Sequence, residues 1–175
     1  IRQEADGNSN GNLVQMNLPL TFEDATVDYG LIGFDGAELS TIVNDPTSPD
    51  NKVAKVIKSA SASATAGTAI TTAEQLGFAT SIPFDVINTK LSLRVWSPNA
   101  GIKVRIRLEE HDNALHAVET EVKTTGANRW QTLVFDFAKE VEGTSPLNFN
   151  YHYDKAIIYF NYGVDGATAG QKTYY

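Results

Sequence analysis

Residues 91–109 read Leu91-Ser-Leu-Arg-Val-Trp-Ser-Pro-Asn-Ala-Gly-Ile-Lys-Val-Arg-Ile-Arg-Leu-Glu109. Leu91, Leu93 and Val95 alternate with Ser92, Arg94 and Trp96, and Val104, Ile106 and Leu108 alternate with Lys103, Arg105, Arg107 and Glu109. Side chains of a strand point to opposite faces with period two, so each run has one apolar and one decorated face. The intervening Ser97-Pro-Asn-Ala-Gly101 is a turn signal, and two such runs about a turn predict a hairpin. The apolar faces need a second layer to bury them. The decorated face would carry Arg, Lys and Glu with a Trp at its end. These forked donors, carboxylates and flat rings suit sugar hydroxyls and ring faces, and they equally suit cross-strand ion pairing.

Outward from this stretch, short apolar runs alternate with Gly, Pro, Asn and Asp clusters. Strands are predicted at 18–23, 31–34, 52–58, 78–84, 90–96, 102–110, 116–123, 130–137 and 155–162. That spacing predicts an all-β chain, an antiparallel β-sandwich of the jelly-roll kind. Helix is confined to a single turn over Thr71–Leu76, where Thr71 precedes Glu74 in a capping pattern. Ser59 to Ala69, rich in Ser, Ala and Thr, reads as a surface loop. Residues 1–17 read as a linker, because Asp6-Gly-Asn-Ser-Asn-Gly-Asn12 offers nothing to bury. The sandwich is assigned to 18–175, one domain of ordinary size.

Net charge is −7, from 14 basic and 21 acidic residues. A nucleic-acid partner is not expected, since neutralising phosphates needs a basic surface. No run approaches the roughly 20 apolar residues of a helical membrane span, so no membrane insertion is expected. There is no Cys, which removes disulfides and thiol nucleophiles.

Several segments in order resemble one family. They are Leu20-Thr-Phe-Glu-Asp24, Asn44-Asp-Pro-Thr-Ser-Pro-Asp-Asn-Lys-Val53, Val95-Trp-Ser-Pro-Asn-Ala-Gly101, Arg107-Leu-Glu109, Val118-Glu-Thr-Glu121, Trp130-Gln-Thr-Leu-Val-Phe-Asp-Phe137 and Lys172-Thr-Tyr-Tyr175. The set is similar to jelly-roll carbohydrate-binding modules related to the family 4 type. The resemblance implies non-catalytic binding of a polysaccharide, with a β-1,3-glucan such as laminarin first and an anionic glycan such as alginate second. It implies a monomeric module of a larger protein, outside the cell or at its surface. It also implies a further strand beyond Tyr175, so the domain is expected to lack its last one. Such modules often hold one structural calcium between the first and last strands, which makes Glu23 and Asp24 candidate ligands.

The candidate ligand-binding residues are Arg94, Trp96, Arg105, Arg107, Glu109, His116, Glu119 and Tyr159. Arg94, Arg105, Arg107, Glu109 and Glu119 are expected on one sheet face. There the guanidinium forks would recognise saccharide, an anionic one above all, or else pair with the carboxylates. Trp96 would stack on a pyranose or cover the turn. His111 and His116 around Asp112 match no metal-ligand spacing, and a solvent or sugar contact is expected for them. Tyr159 could join the platform, and Phe135 and Phe137 are assigned to the core.

Catalysis finds little support. No Gln-Ile-His strand of the kind jelly-roll alginate lyases use occurs, and no Ser-His-Asp pattern stands out. Glu109 and Glu119 are the one carboxylate pair to test as a glycosidase dyad. A protein-binding adhesive sandwich would need an exposed apolar patch on the decorated faces.

Overall fold

The computed structural model describes residues 13–175. The strands are β1 Val14–Gln15, β2 Val27–Asp28, β3 Gly30–Phe34, β4 Thr41–Asp45, β5 Ser48–Lys58, β6 Gly67–Thr71, β7 Lys90–Ser97, β8 Lys103–Glu110, β9 Asn113–Lys123, β10 Arg129–Asp136, β11 Lys155–Phe160 and β12 Lys172–Tyr174. One short helix, α1 Gly166–Ala169, carries Asp165 as its N-cap. β1 and β2 pair parallel; every other pairing is antiparallel.

The first large sheet has the order β3-β6-β11-β8-β9. The second is assembled from β10-β7 and β12-β5-β4. A reciprocal hydrogen-bonded pair joins these halves: Trp96 N–H donates to the Tyr175 carbonyl (2.8 Å), and Tyr175 N–H to that of Trp96 (3.1 Å). The two sheets pack face to face as a jelly-roll sandwich, the predicted fold class.

Alternation places the core. Val104, Ile106 and Leu108 of β8 and Val118 of β9 face inward with Ala156, Ile158 and Phe160 of β11. Opposite them stand Val95, Leu133, Phe135, Val56 and Tyr174. Phe135 and Phe137 are fully buried, as the sequence predicts. Across the core Phe160 of the first sheet and Tyr174 of the second stack, ring centroids 4.5 Å apart and nearly parallel. Burial holds the Tyr174 hydroxyl up at about 12.

Several expectations need correction. The 91–109 stretch is not a hairpin: β7 pairs with β10, and β8 with β9 and β11, so Ser97–Gly101 crosses between sheets. Each strand's apolar face must enter the core, and opposite sheets satisfy that as well as one sheet does. Residues 18–23 and 78–84 form no strand. The second of these is irregular but anchored, with Phe78 and Ile82 buried and their N–H groups bound to the carbonyls of Asp154 and Tyr153.

The Ser59–Ala69 loop ends earlier than predicted, because Gly67–Thr71 is a buried central strand. Thr71–Leu76 closes as a turn through the Thr72 and Leu76 backbones rather than as helix. The linker reading of 1–17 also reaches too far. Val14–Gln15 pairs with β2, and Met16 is fully buried in the core. Asp6–Asn12 lies outside the described residues.

Leu108 faces the core and Val134 the solvent, at 0% and 54% exposure. Leu108→Ala should therefore cost about 2–5 kcal/mol in urea unfolding, against under about 0.5 kcal/mol for Val134→Ala. Equal costs would contradict the assigned faces.

Candidate functional site

On the first sheet, the residues between the inward-facing ones point away from the core. β8 presents Lys103, Arg105, Arg107 and Glu109. Its neighbours oppose these with Glu121, Glu119 and Ala117 on β9 and with Tyr159, Ile157 and Lys155 on β11. β6 and β3 continue the surface with Gly67, Ala69 and Ile32, ending at Phe34. Ala69, Ile157 and Ala117 are buried although they face outward. They form the floor beneath longer side chains.

Those long side chains hold one another. Arg105 sends Nε and Nη2 to Glu121 Oε2 (3.1 and 2.9 Å) and Nη1 to Glu119 Oε2 (3.1 Å). Arg107 sends Nη1 to Glu119 Oε1 (2.9 Å), Nε to Glu109 Oε2 (2.8 Å) and Nη2 to the Ala114 carbonyl. Lys155 reaches Glu109 Oε1 at 3.0 Å, and Lys103 reaches Glu121 Oε1 at 3.2 Å. Four cations thus meet three carboxylates in one continuous network.

Burial works against the Arg105 charge, but its hydrogen bonds to Glu121 and Glu119 and the nearby negative charge outweigh it and raise its pKa above the ordinary value. Arg107 is raised in the same way by Glu109 and Glu119. Burial opposes the Glu121 charge too, and Arg105 with Lys103 overcomes it, holding that carboxyl below the usual range.

Beside the network runs a row of rings. Phe34 meets Tyr159 edge-on at 6.0 Å, and Tyr159 meets Tyr162 edge-on at 5.5 Å. The Arg105 guanidinium lies 3.6 Å from the Tyr162 ring centroid, a cation–π contact. Burial, then the nearby Glu119 charge, pushes the Tyr159 hydroxyl up to about 12, so it stays a neutral donor. Gly67 makes the row possible: a Cβ there would come within 2.7 Å of both the Phe34 and Tyr159 rings.

Of the eight predicted ligand-binding residues, this face gathers Arg105, Arg107, Glu109, Glu119 and Tyr159. Arg94 and Trp96 are not among them. They lie on the outer face of the second sheet, where Arg94 sits 5.1 Å from the Trp130 ring and Trp96 packs edge-on against Tyr175 at 5.7 Å. The single patch predicted from the hairpin is two patches on opposite sheets.

His116 faces the other way from its neighbour Ala117 and occupies a rim. It stacks on Tyr151 at 3.9 Å and hydrogen-bonds Glu110 at 2.8 Å. His111 pairs with Asp154 at 2.6 Å. Sequence reasoning passed over Phe34, Tyr162 and Glu121. Their signal was present, since Phe34 and Tyr162 each end a strand run just before a turn bearing Gly36 or Gly163.

The calcium candidates are engaged separately. Asp24 accepts from the Thr26 hydroxyl (2.7 Å) and N–H (2.9 Å), whereas Glu23 accepts from Lys52 N–H (2.6 Å). Among the described residues no three His, Cys, Asp or Glu side chains group as a metal site. The donor set therefore does not fit a calcium ion built on these two carboxylates.

No family profile and no curated protein sequence matches the chain. Solved structures do resemble it. A family 30 carbohydrate-binding module superposes with TM-score 0.52 at 10% identity, over 81% of this chain and 76% of that one. The family 11 module of the cellulosomal cellulase Lic26A-Cel5E of Clostridium thermocellum gives 0.48 at 13%, over 88% and 87%. A family 11 module from Clostridium thermocellum in complex with a β-1,3-1,4-mixed-linked tetrasaccharide gives 0.48 at 14%, over 88% of both chains. The likeness is one of fold, and the family 30 module carries it.

Because the folded Glu121 pKa is lowered, its contribution to stability is complete above the unfolded value near 4.5 and is lost as pH falls through the folded one. Urea unfolding from pH 7 to 3 should show stability falling below about pH 4.5. Glu121→Gln should be less stable at neutral pH and flatter across that window. Parallel curves for the two proteins would mean that the pairing is energetically silent.

Proposed function

We propose that this domain is a non-catalytic glycan-binding module and that its binding surface is the outer face of the β3-β6-β11-β8-β9 sheet. One observation carries the reading: a near-balanced network of charged donors and acceptors lies directly beside the Phe34–Tyr159–Tyr162 row. Rings can lie against the apolar faces of pyranose units, and paired guanidinium and carboxylate groups can each take one more hydroxyl. The fold shared with a carbohydrate-binding module supports this reading.

A neutral β-glucan fits better than an anionic glycan. Arg105 and Arg107 are already bonded to carboxylates, so a uronate would have to displace Glu119, Glu121 or Glu109 to reach them. A neutral hydroxyl bridges such a pair without breaking it. A β-1,3-glucan such as laminarin remains the first ligand to test.

Glycosidase chemistry is disfavoured for a related reason. Glu109 and Glu119 are bound to the same guanidinium, and neither stands free as an acid facing a cleft. In this reading the domain keeps a larger glycan-active protein on its polysaccharide, outside the cell or at its surface. Among the described residues no helix is long and apolar enough to cross a membrane.

Affinity electrophoresis against a panel of polysaccharides tests the proposal. Retardation by laminarin or another neutral β-glucan, unchanged by added salt, is expected, whereas loss of binding in salt would indicate an anionic ligand. Tyr159→Ala should weaken binding about tenfold, while Arg94→Ala and Trp96→Ala on the other sheet should leave it within about twofold. The reverse pattern would move the site to the second sheet. No retardation by any polysaccharide would reject the reading, as would release of sugar products.

A further inference from the structure

Four strands of the second sheet set three rings and a cation in one line. Trp96 pairs with Trp130 of β10, and Tyr175 exchanges both backbone hydrogen bonds with Trp96. Tyr174 pairs with Val56, so the register sets Tyr175 opposite Lys55 of β5. Val95, Tyr174 and Val56 point into the core, and alternation therefore turns Trp96, Tyr175 and Lys55 outward. Trp130 points the same way as Trp96, its direct cross-strand partner. With strands about 4.8 Å apart, the anchors of the rings recur at that step across the sheet.

Contacts fix these rings. The Trp130 indole N–H donates to Thr47 Oγ1 (3.0 Å) and Asp45 Oδ1 (3.3 Å), and Trp96 packs edge-on against Tyr175 at 5.7 Å. Arg94 stands on the same face two residues along β7, its guanidinium 5.1 Å from the Trp130 ring centroid. All three rings are partly exposed, and Arg94 is exposed.

Charge separates this face from that of the first sheet. There Arg105 and Arg107 are bonded to carboxylates. Here, among the described residues, neither Arg94 nor Lys55 makes an ion pair. Asp45, the carboxylate that touches the cluster, is buried and already accepts from the Thr47 N–H and hydroxyl, Asn51 and Trp130. The cation–π contact engages the Arg94 charge and leaves its forked N–H donors to a ligand. On a chain of net charge −7, these cations attract by contact, since exposed charges are screened over about 8 Å at physiological salt.

We propose that the outer face of the second sheet is a second saccharide site, for a glycan carrying an anionic substituent, carboxylate or sulfate. Tyr175, Trp96 and Trp130 take successive pyranose units of the chain. The Arg94 fork holds an anionic group beside Trp130, and the Lys55 ammonium holds another at the far end of the line. The site shares no residue and no ligand with the neutral-glucan face and does not depend on it. A domain with both would hold a neutral chain on one side and an acidic chain on the other.

Retention of the full chain on immobilised polysaccharides tests the proposal, with polygalacturonate as the carboxylate probe and λ-carrageenan as the sulfate probe. At least one should retain it at about 0.01 M salt and release it towards about 1 M, as the screening length falls from about 30 to about 3 Å. The glycan that retains it identifies the substituent. Arg94→Ala and Trp96→Ala should each weaken that binding about tenfold, and Arg94→Lys, which keeps the charge but loses the fork, by less. Tyr159→Ala should leave it within about twofold, and Arg94→Ala should leave laminarin binding unchanged, so the two sites fail separately. Arg94 is exposed and its side chain lies outside the core, so its variants should keep the parent's thermal midpoint. No retention by either glycan would overturn the proposal. So would equal retention by polyglutamate, which carries the charge without the sugar, and so would loss of binding on Tyr159→Ala rather than Arg94→Ala.

Discussion

The stack of Phe160 on Tyr174 is the contact through which the two sheets become one domain. Phe160 ends β11 in the first sheet, and Tyr174 belongs to β12 in the second. Their rings lie 4.5 Å apart and nearly parallel in the middle of the core cluster. Around the stack, Lys58 is buried and its ammonium donates to the Phe160 and Asn161 carbonyls, both at 3.2 Å. A cation without water needs such acceptors. Burial lowers the Lys58 pKa against the opposing pull of Asp165, which also caps α1. The stack, the lysine and the short helix thus fasten the end of β11 to the turn that delivers β12.

What alternation could show, it showed. β7, β8, β10 and β11 lie within a residue or two of their predicted ranges, β9 begins three residues earlier than predicted, and the inward residues of β8 are the ones the apolar period marks. Pairing was not legible, because a period of two says which face is apolar and nothing about which strand is adjacent. Ser97–Gly101 has the composition of a hairpin turn and serves as a crossover. β6 escaped for a different reason. Gly67-Thr-Ala-Ile-Thr71 is buried on both sides, and the space under the Phe34 and Tyr159 rings admits only small side chains on its outer side. A strand built of Gly, Ala and Thr looks like a loop in sequence.

The site was half legible for the same reason. Arg105, Arg107, Glu109, Glu119 and Tyr159 share a face because three adjacent strands each alternate correctly. Arg94 and Trp96 join them only if 91–109 is a hairpin, and His116, expected to touch solvent or sugar, packs on Tyr151 and Glu110 instead. The bulge at Glu109/Glu110 is what breaks the regular pairing of β8 with β9 just beyond Ala117. It has no signature in a single chain.

The Arg–Glu network bears on the thermodynamics of recognition as well as on its chemistry. Arg105, Arg107, Glu119 and Glu109 each have two or more partners among themselves and Lys155 or Glu121. Long side chains of this kind normally give up rotamer freedom when a ligand immobilises them, at about 0.5–1.5 kcal/mol each. Here that freedom is lost when the protein folds, and the floor of Ala69, Ile157 and Ala117 keeps the heads in place. A ligand laid on this face meets groups already at rest, so the entropic penalty of association falls mainly on the ligand's own glycosidic torsions.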